Sequence, residues 1–392
     1  MRDVIDPATH IVDSELFVLE SQVNWLEMLS PTKNTLRWKT FQESGYKEVL
    51  PLTYPEISCN FKSMRRRLND LPYSEIGNSI ISALMKEKKE EICLQMDLIE
   101  ERDSEGFMST SISLFGGARP HLLRTAYEIM QKVPYEDWDE DIAGPEELKD
   151  TAIKVGEEYK KTYPDFNFGV HIIEDLNSAM MVNHGELYLA KDLEVPKSRI
   201  RPLIAHEVEV HVITRHNGRH QPLRQLECGL AYYDSLQEGL ATLSEYITGN
   251  LPAKRLRMLA ARVIAVDMSI HDCSIKEIFD RLYEEYTMNP HDAFDTAVRA
   301  KRGGGLTKDA VYLEGLCELL DIISSGEDIT PLFMGKFALE QREMLYKLLR
   351  QGILKEPQIL PSFLLGERGK QNLEQLRDIE ITQLFHSKGA EQ

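Results

Sequence analysis

The chain has only five cysteines, Cys59, Cys93, Cys228, Cys273 and Cys317, and no two form a C-x-x-C pair. That spacing offers neither a thiolate zinc cluster nor a redox dithiol, and an odd number of scattered thiols fits a reducing compartment. No run approaches the ~18 uninterrupted apolar residues of a membrane span. The first ten residues include Asp3 and Asp6 and lack the apolar stretch of a signal peptide. A soluble, cytoplasmic protein with no membrane partner is expected. Positive charge is also short: 46 Lys and Arg against 64 Asp and Glu leave a net charge of −18, which repels phosphate backbones. A nucleic-acid partner is therefore not expected. No G-x-S-x-G nucleophile elbow occurs. Gly303-Gly304-Gly305 ahead of Lys308 lacks the preceding strand and the Walker spacing of a phosphate loop.

What the chain does have is helical periodicity. Its 392 residues, 42% of them apolar, suffice for a substantial core. From Asn78, a capping residue type, to about residue 101, Ile81, Met85, Ile92, Met96 and Ile99 lie along one stripe. Lys86, Lys88 and Lys89 alternate there with Glu87, Glu90 and Glu91 and read as a solvated face, as does Arg65-Arg66-Arg67, which has no interleaved aromatics. An acidic stretch around Gly144-Pro145 marks a boundary and is followed by a helix to about Tyr163. Residues 168–173, 180–182 and 186–189 read as short strands with a turn at Asn183-His184-Gly185. Beyond Ser198 the pattern is helical again. The expected organisation is a helical region 1–135, an acidic linker and helix 136–165, a core 166–326 and a helical region with tail 327–392.

The chemistry concentrates in one place. His206, His211, His216 and His220 fall within fifteen positions, where a uniform scatter of the 11 histidines would place about 0.4. Neutral imidazoles bind divalent zinc, and a carboxylate beside one ligand can take a proton from water at the metal, so His206-Glu207-Val208-Glu209-Val210-His211 is a candidate metal and base motif. In the familiar H-E-x-x-H the histidines are four apart. Here they are five apart, and on a regular helix they would diverge by about 140°. The spacing therefore predicts a π-bulge between Ala205 and Val212, in a helix capped by Ser198, with Pro202 in its first turn and Gly218 at its end. Glu238 is a candidate third ligand. The same residue completes a capping box with Ser235, and spacing alone leaves both readings open.

Four groups of residues, in this order, resemble one family. They are His206-Glu207 with His211, Asn217-Gly218 with Gln221-Pro222-Leu223, Gln237-Glu238-Gly239-Leu240-Ala241, and residues 302–309 with Tyr312, Leu313 and Gly315. They look like the bacterial QEGLA-motif proteins, known as modulators of flavohaemoglobin expression and related to the eukaryotic microtubule-associated tyrosine carboxypeptidase. The resemblance is strong over residues 166–326. It implies an α+β, mostly helical fold: a zincin-like metallopeptidase core with a small mixed sheet and added helical layers. It further implies one zinc ion on His206, His211 and Glu238, with Glu207 as general base, acting on a peptide or protein C-terminus whose last residue is aromatic. Relatives commonly carry Gly-Thr before the second histidine, so Val208-Glu209-Val210 is expected to place bulkier, charged groups beside the cleft.

Arg302, Lys308 and Tyr312 are candidate substrate-binding residues. Lys308 and Tyr312 are four apart on a helix that Thr307 would cap; alternatively the segment is an ordinary helix start with Asp309 at its positive end. The strand 186–189 is a candidate edge for an extended substrate. A rival reading is a non-catalytic regulatory protein that modulates flavohaemoglobin expression and keeps a structural metal. Glu207 favours the enzyme, because a structural site has no use for a base.

Overall fold

Asn78 caps the helix Ser79–Glu100, its side-chain oxygen accepting the N–H groups of Ile80 and Ile81 at 2.9 and 3.2 Å. Ile81, Met85, Ile92, Met96 and Ile99 are all buried along the expected stripe. The charged run is different. Lys88 lies on that stripe, seven residues after Ile81 and four before Ile92, and is fully buried. Its Nζ stands 2.6 Å from carboxylate oxygens of both Glu20 and Glu91. Helical periodicity overrode charge at this position, and two carboxylates offset the desolvation of the ammonium.

The computed structural model describes residues 5–136, 141–174, 176 and 178–387. Part of the acidic linker, residues 137–140, falls outside them. The fold is mostly helical with two small sheets. Strands β1 (Ile142–Ala143) and β5 (Val195–Pro196) pair antiparallel. Strands β2 (Val170–Ile173), β3 (Met180–Asn183) and β4 (Glu186–Ala190) form a mixed sheet in the order β2-β4-β3. His184 and Gly185, at φ 48° and 82°, make the two-residue turn between β3 and β4. That turn and the parallel pairing with β2 place β4 in the centre of the sheet, so the expectation that it is an open edge is corrected. The edges are β2 and β3.

Leu187 and Leu189 of β4 pack on Ile204, Val208 and Val212, a four-residue repeat along the histidine helix, with Leu148 and Ala152 of the helix Pro145–Thr162 completing the layer. The opposite side of the histidine helix, through Ala205 and Val210, joins the main core, which runs from Ile5 to Leu384 and unites both chain ends. The helices Asp234–Ile247 and Val311–Ser324 approach at Gly239 and Gly315, where a Cβ on Gly239 would stand 2.5 Å from the Gly315 backbone. Among the described residues no helix is long and apolar enough to cross a membrane, and the five cysteines are free thiols.

Candidate metal centre

The five-residue histidine spacing is met by a change of helix type. Ile200–Ile204 is α-helical, Ala205–Val212 is π-helical, and Ile213–Arg219 returns to α. The Ile213 N–H donates to the Val208 carbonyl, five residues back, which is the widening the spacing predicts. The two histidine rings come to 5.1 Å between centroids. The start of the helix is set otherwise than expected. Ser198 lies in a 3-10 turn and its hydroxyl accepts from Asn250 Nδ2 at 2.6 Å instead of capping. Gly218 is the last residue but one of its helix, at the end as expected, and a Cβ there would stand 1.9 Å from the Leu226 carbonyl oxygen. What glycine permits here is also the close approach of the chain at Leu226. Asn217 and Gln221 serve as clamps: Asn217 Nδ2 donates to the Phe333 and Ile359 carbonyls, both at 2.8 Å, and Gln221 Nε2 to the Lys355 carbonyl at 2.8 Å.

A second correction concerns the three residues Val208, Glu209 and Val210 between His206 and His211. Val208 and Val210 are buried in opposite cores, and Glu209 is 1% exposed. Its carboxylate accepts from the Tyr159 hydroxyl at 2.6 Å and the Ser362 hydroxyl at 2.6 Å, and pairs with Arg201 at 2.5 Å. These side chains anchor the widened turn in two cores and to Tyr159, Ser362 and Arg201.

Glu238 does not fold back on Ser235. The helix Asp234–Ile247 has no side-chain cap, and Glu238 Oε2 lies 3.9 Å from His206 Nε2 and 3.8 Å from His211 Nε2. One donor atom from each of His206, His211 and Glu238 falls within 4.8 Å of the others. A tetrahedral ion with ligands at ~2.1 Å needs donors about 3.4 Å apart, a small inward adjustment from this arrangement. Glu207 Oε1 stands 4.0 Å from His206 Nε2. Burial pushes the Glu207 carboxyl up to about 7, with His206 opposing and Glu238 and Glu245 adding to the rise. Burial, with the charges of His206 and Lys336, holds His211 well below the usual imidazole range, so its ring is neutral.

Residues beyond the motif orient these groups. His206 Nδ1 lies 2.9 Å from Glu245 Oε1, which fixes the tautomer and leaves Nε2 for the centre. Burial opposes ionisation of Glu245, but Arg255, Arg199 and the His206 bond hold its carboxyl well below the usual range. Sequence reasoning missed Glu245, although its place seven residues after Glu238, two turns on one helix face, was a readable signal. Gln237 sits against His211 and accepts the Thr214 hydroxyl at 2.8 Å.

The predicted substrate cations separate. Lys308 Nζ bonds Asp234 at 2.7 Å and lies 5.8 Å from the Tyr312 ring centre. Burial opposes its charge, but Asp234, Tyr312 and Glu238 raise its pKa. Burial and Glu238 push the Tyr312 hydroxyl up to about 12. Thr307 does not cap: its hydroxyl bonds the Ser111 carbonyl, and Asp309 is taken by Arg299 at 2.5 and 2.7 Å instead of serving the helix start. Arg302 is buried near Arg299, Arg262 and Asp309, brought down to about 10 by burial and Arg299. A cation the sequence did not reveal, Lys336, lies 5.4 Å from the Tyr233 ring centre, among groups that include Asp234 and Glu238, and burial lowers its pKa. Leu226 and Leu230 position it by backbone hydrogen bonds of 2.9 and 3.0 Å, a pairing no local pattern announces.

A family model described as microtubule-associated tyrosine carboxypeptidase matches residues 39–379. The chain belongs to this family. No curated protein matches it. The family match takes in the histidine helix, Glu238, Glu245, Lys308 and Lys336, and leaves out the helix Pro7–Gln22. That helix still joins the family core: Asp13 accepts the backbone N–H groups of Arg224 and Gln225 at 2.8 and 3.0 Å.

Proposed function

We propose that the protein is a zinc-dependent carboxypeptidase in which His206, His211 and Glu238 hold one ion and Glu207 is the general base. The observation that carries this reading is the meeting of two imidazoles and a carboxylate, with a second carboxylate at their side. The donor set fits: a neutral His211, a His206 oriented by Glu245, and the carboxylates of Glu207 and Glu238 beside them. When bound, zinc supplies Lewis-acid polarisation of a carbonyl and a lowered pKa for water.

The remaining work belongs to the chain. Glu207, with its carboxyl near neutrality, takes a proton from water and returns it to the leaving amine. The Tyr312 hydroxyl, neutral at physiological pH, is a donor for the carbonyl oxygen that gains charge. A substrate C-terminal carboxylate entering a chain of net charge −18 needs dedicated cations. Lys336 is the best placed of them, because Lys308 is already paired with Asp234 and Arg302 lies among Arg299 and Asp309. By kinship with the family, the residue released is tyrosine or another aromatic.

Purified Glu207→Gln is expected to retain metal and lose hydrolysis, whereas His211→Ala loses both. Equal metal loss in the two variants would remove Glu207 from the role of base. Amidation of a peptide C-terminus should cost wild type most of its kcat/KM and cost Lys336→Met much less. Equal cleavage of free and amidated peptides would make the enzyme an endopeptidase.

A further inference from the structure

The histidine cluster is only half used by the centre described above. Where the helix returns to regular α geometry, His216 and His220 are four apart and share one face, with ring centroids 4.4 Å apart. Asp165 reaches them from the turn between the helix Pro145–Thr162 and β2. One donor atom of each of the three residues lies within 4.8 Å of the others.

We infer that Asp165, His216 and His220 form a second site for a divalent transition-metal ion, independent of the catalytic reading. Two features of the cluster ask for a cation. First, His220 Nδ1 is 2.8 Å from the His216 carbonyl oxygen, which accepts only, so Nδ1 carries a proton and Nε2 is left facing Asp165 Oδ2 at 2.8 Å. A positive charge belongs between that nitrogen and the carboxylate, as a second proton in a His–Asp ion pair or as a metal ion that takes its place. Second, His216 is 8% exposed, the Gln358 side chain lies against its ring, and its Nε2 is buried without a hydrogen-bond partner among the described residues. An unmet buried nitrogen costs on the order of 1–3 kcal/mol, which coordination would remove. Phe166, next to Asp165, holds the His216 ring edge-on at 5.3 Å between centroids.

Two imidazoles and one carboxylate, completed by water, suit zinc and its transition-series neighbours and not calcium or magnesium. The two histidine pairs are roughly 14 Å apart along the helix, too far for a two-metal catalytic centre, whose ions are ~4 Å apart. The second ion is a brace. It ties the turn ahead of β2 to the end of the helix that carries the first histidine pair.

The test is zinc stoichiometry after chelator stripping, reloading with zinc chloride and desalting. Wild type should retain two equivalents, Asp165→Asn with His220→Gln one, His206→Ala with His211→Ala one, and the four-fold variant none. Zinc should also raise the melting temperature of the His206→Ala, His211→Ala protein, and this rise should vanish when Asp165→Asn and His220→Gln are added. A wild type that retains a single equivalent, lost on replacing His206 and His211, overturns the proposal. So does an Asp165→Asn, His220→Gln variant that keeps two. Asp165 is exposed and His220 half-exposed, so this variant is expected to fold and to decide the matter even if the other does not.

Discussion

Two histidine pairs on one helix solve the same geometric problem in different ways. His216 and His220, four residues apart, converge on an ordinary α turn and need no help from the backbone. His206 and His211, five apart, converge only because Ala205–Val212 is widened to a π turn, and that widening is held by Glu209, Tyr159, Ser362 and Arg201 behind it. The regular pair is locally encoded. The irregular pair depends on residues from distant parts of the chain.

The strongest way to break this comparison is to delete Glu209, which gives the first pair the spacing of the second. Because the widened turn takes in one extra residue, removing Glu209 lets the helix close to a regular α turn with Val212, Ile213 and Asn217 near their present places, while Arg201, Tyr159 and Ser362 lose the carboxylate they share. The expected result is a loss of about 3–5 kcal/mol in denaturant titration, the cost of leaving a buried ion pair without one partner. A deletion variant as stable as wild type would show that neither the widened turn nor its brace is needed.

A smaller effect sharpens the contrast in orientation. His206 is oriented by Glu245 from another helix, His220 by a carbonyl of its own. Glu245→Gln should weaken metal binding at the first pair by about 10–100-fold, measured by chelator competition, and leave the second pair unchanged. Unaltered affinity would make Glu245 a structural partner of Arg199 and Arg255 alone. Tyr159→Phe removes the hydroxyl that bridges Glu209 and the Ser362 N–H at 2.6 and 2.7 Å. It should lower stability by about 1 kcal/mol in denaturant titration, with no counterpart at the second pair. No change in midpoint would mean that the widened turn stands without this brace.

The smallest effect tests spacing four without histidine. Glu314 and Glu318 share a face of the helix Val311–Ser324, and burial, with Glu314 and Glu340 adding, pushes the Glu318 carboxyl up from 4.5 to about 7. A raised carboxyl pKa means that the unfolded chain releases its proton first as pH rises. Stability is therefore lost between about 4.5 and 7 and stays lost above. Glu318→Gln should match wild type at pH 4 and exceed it at pH 8 by less than about 1 kcal/mol, a figure reduced for partial solvent screening. A constant difference across the range would remove ionisation as the cause.

What could be read from the sequence was what is local. The Asn78 cap, the short strands with their turn, the mostly helical α+β character and the need for an irregular turn all follow from residue types and spacing within a few positions. Lys88 was misread because its charge outweighed its place on the stripe, and only one of its two partners, Glu91, is near in sequence, Glu20 lying 68 positions away. Ser198 was misread as a helix cap because Asn250, which decides its role, comes from another element, and the close approach of the Leu226 backbone at Gly218 was likewise out of local view. Lys336 gave no signal at all: it lies on an irregular stretch whose place is set by pairing with residues 226 and 230.

The distance over which the histidine helix is braced has a consequence for how the protein is made. Tyr159 and Ser362, which meet on Glu209, are 203 positions apart, and Asn217 finds the Ile359 backbone 142 positions downstream. Synthesis proceeds from the amino end, so a growing chain carries both histidines and Glu238 well before it carries the segment that holds the widened turn in shape. The nascent polypeptide thus has His206, His211 and Glu238 before it has the frame around them, and their arrangement is complete only once residues 359–362 have been translated.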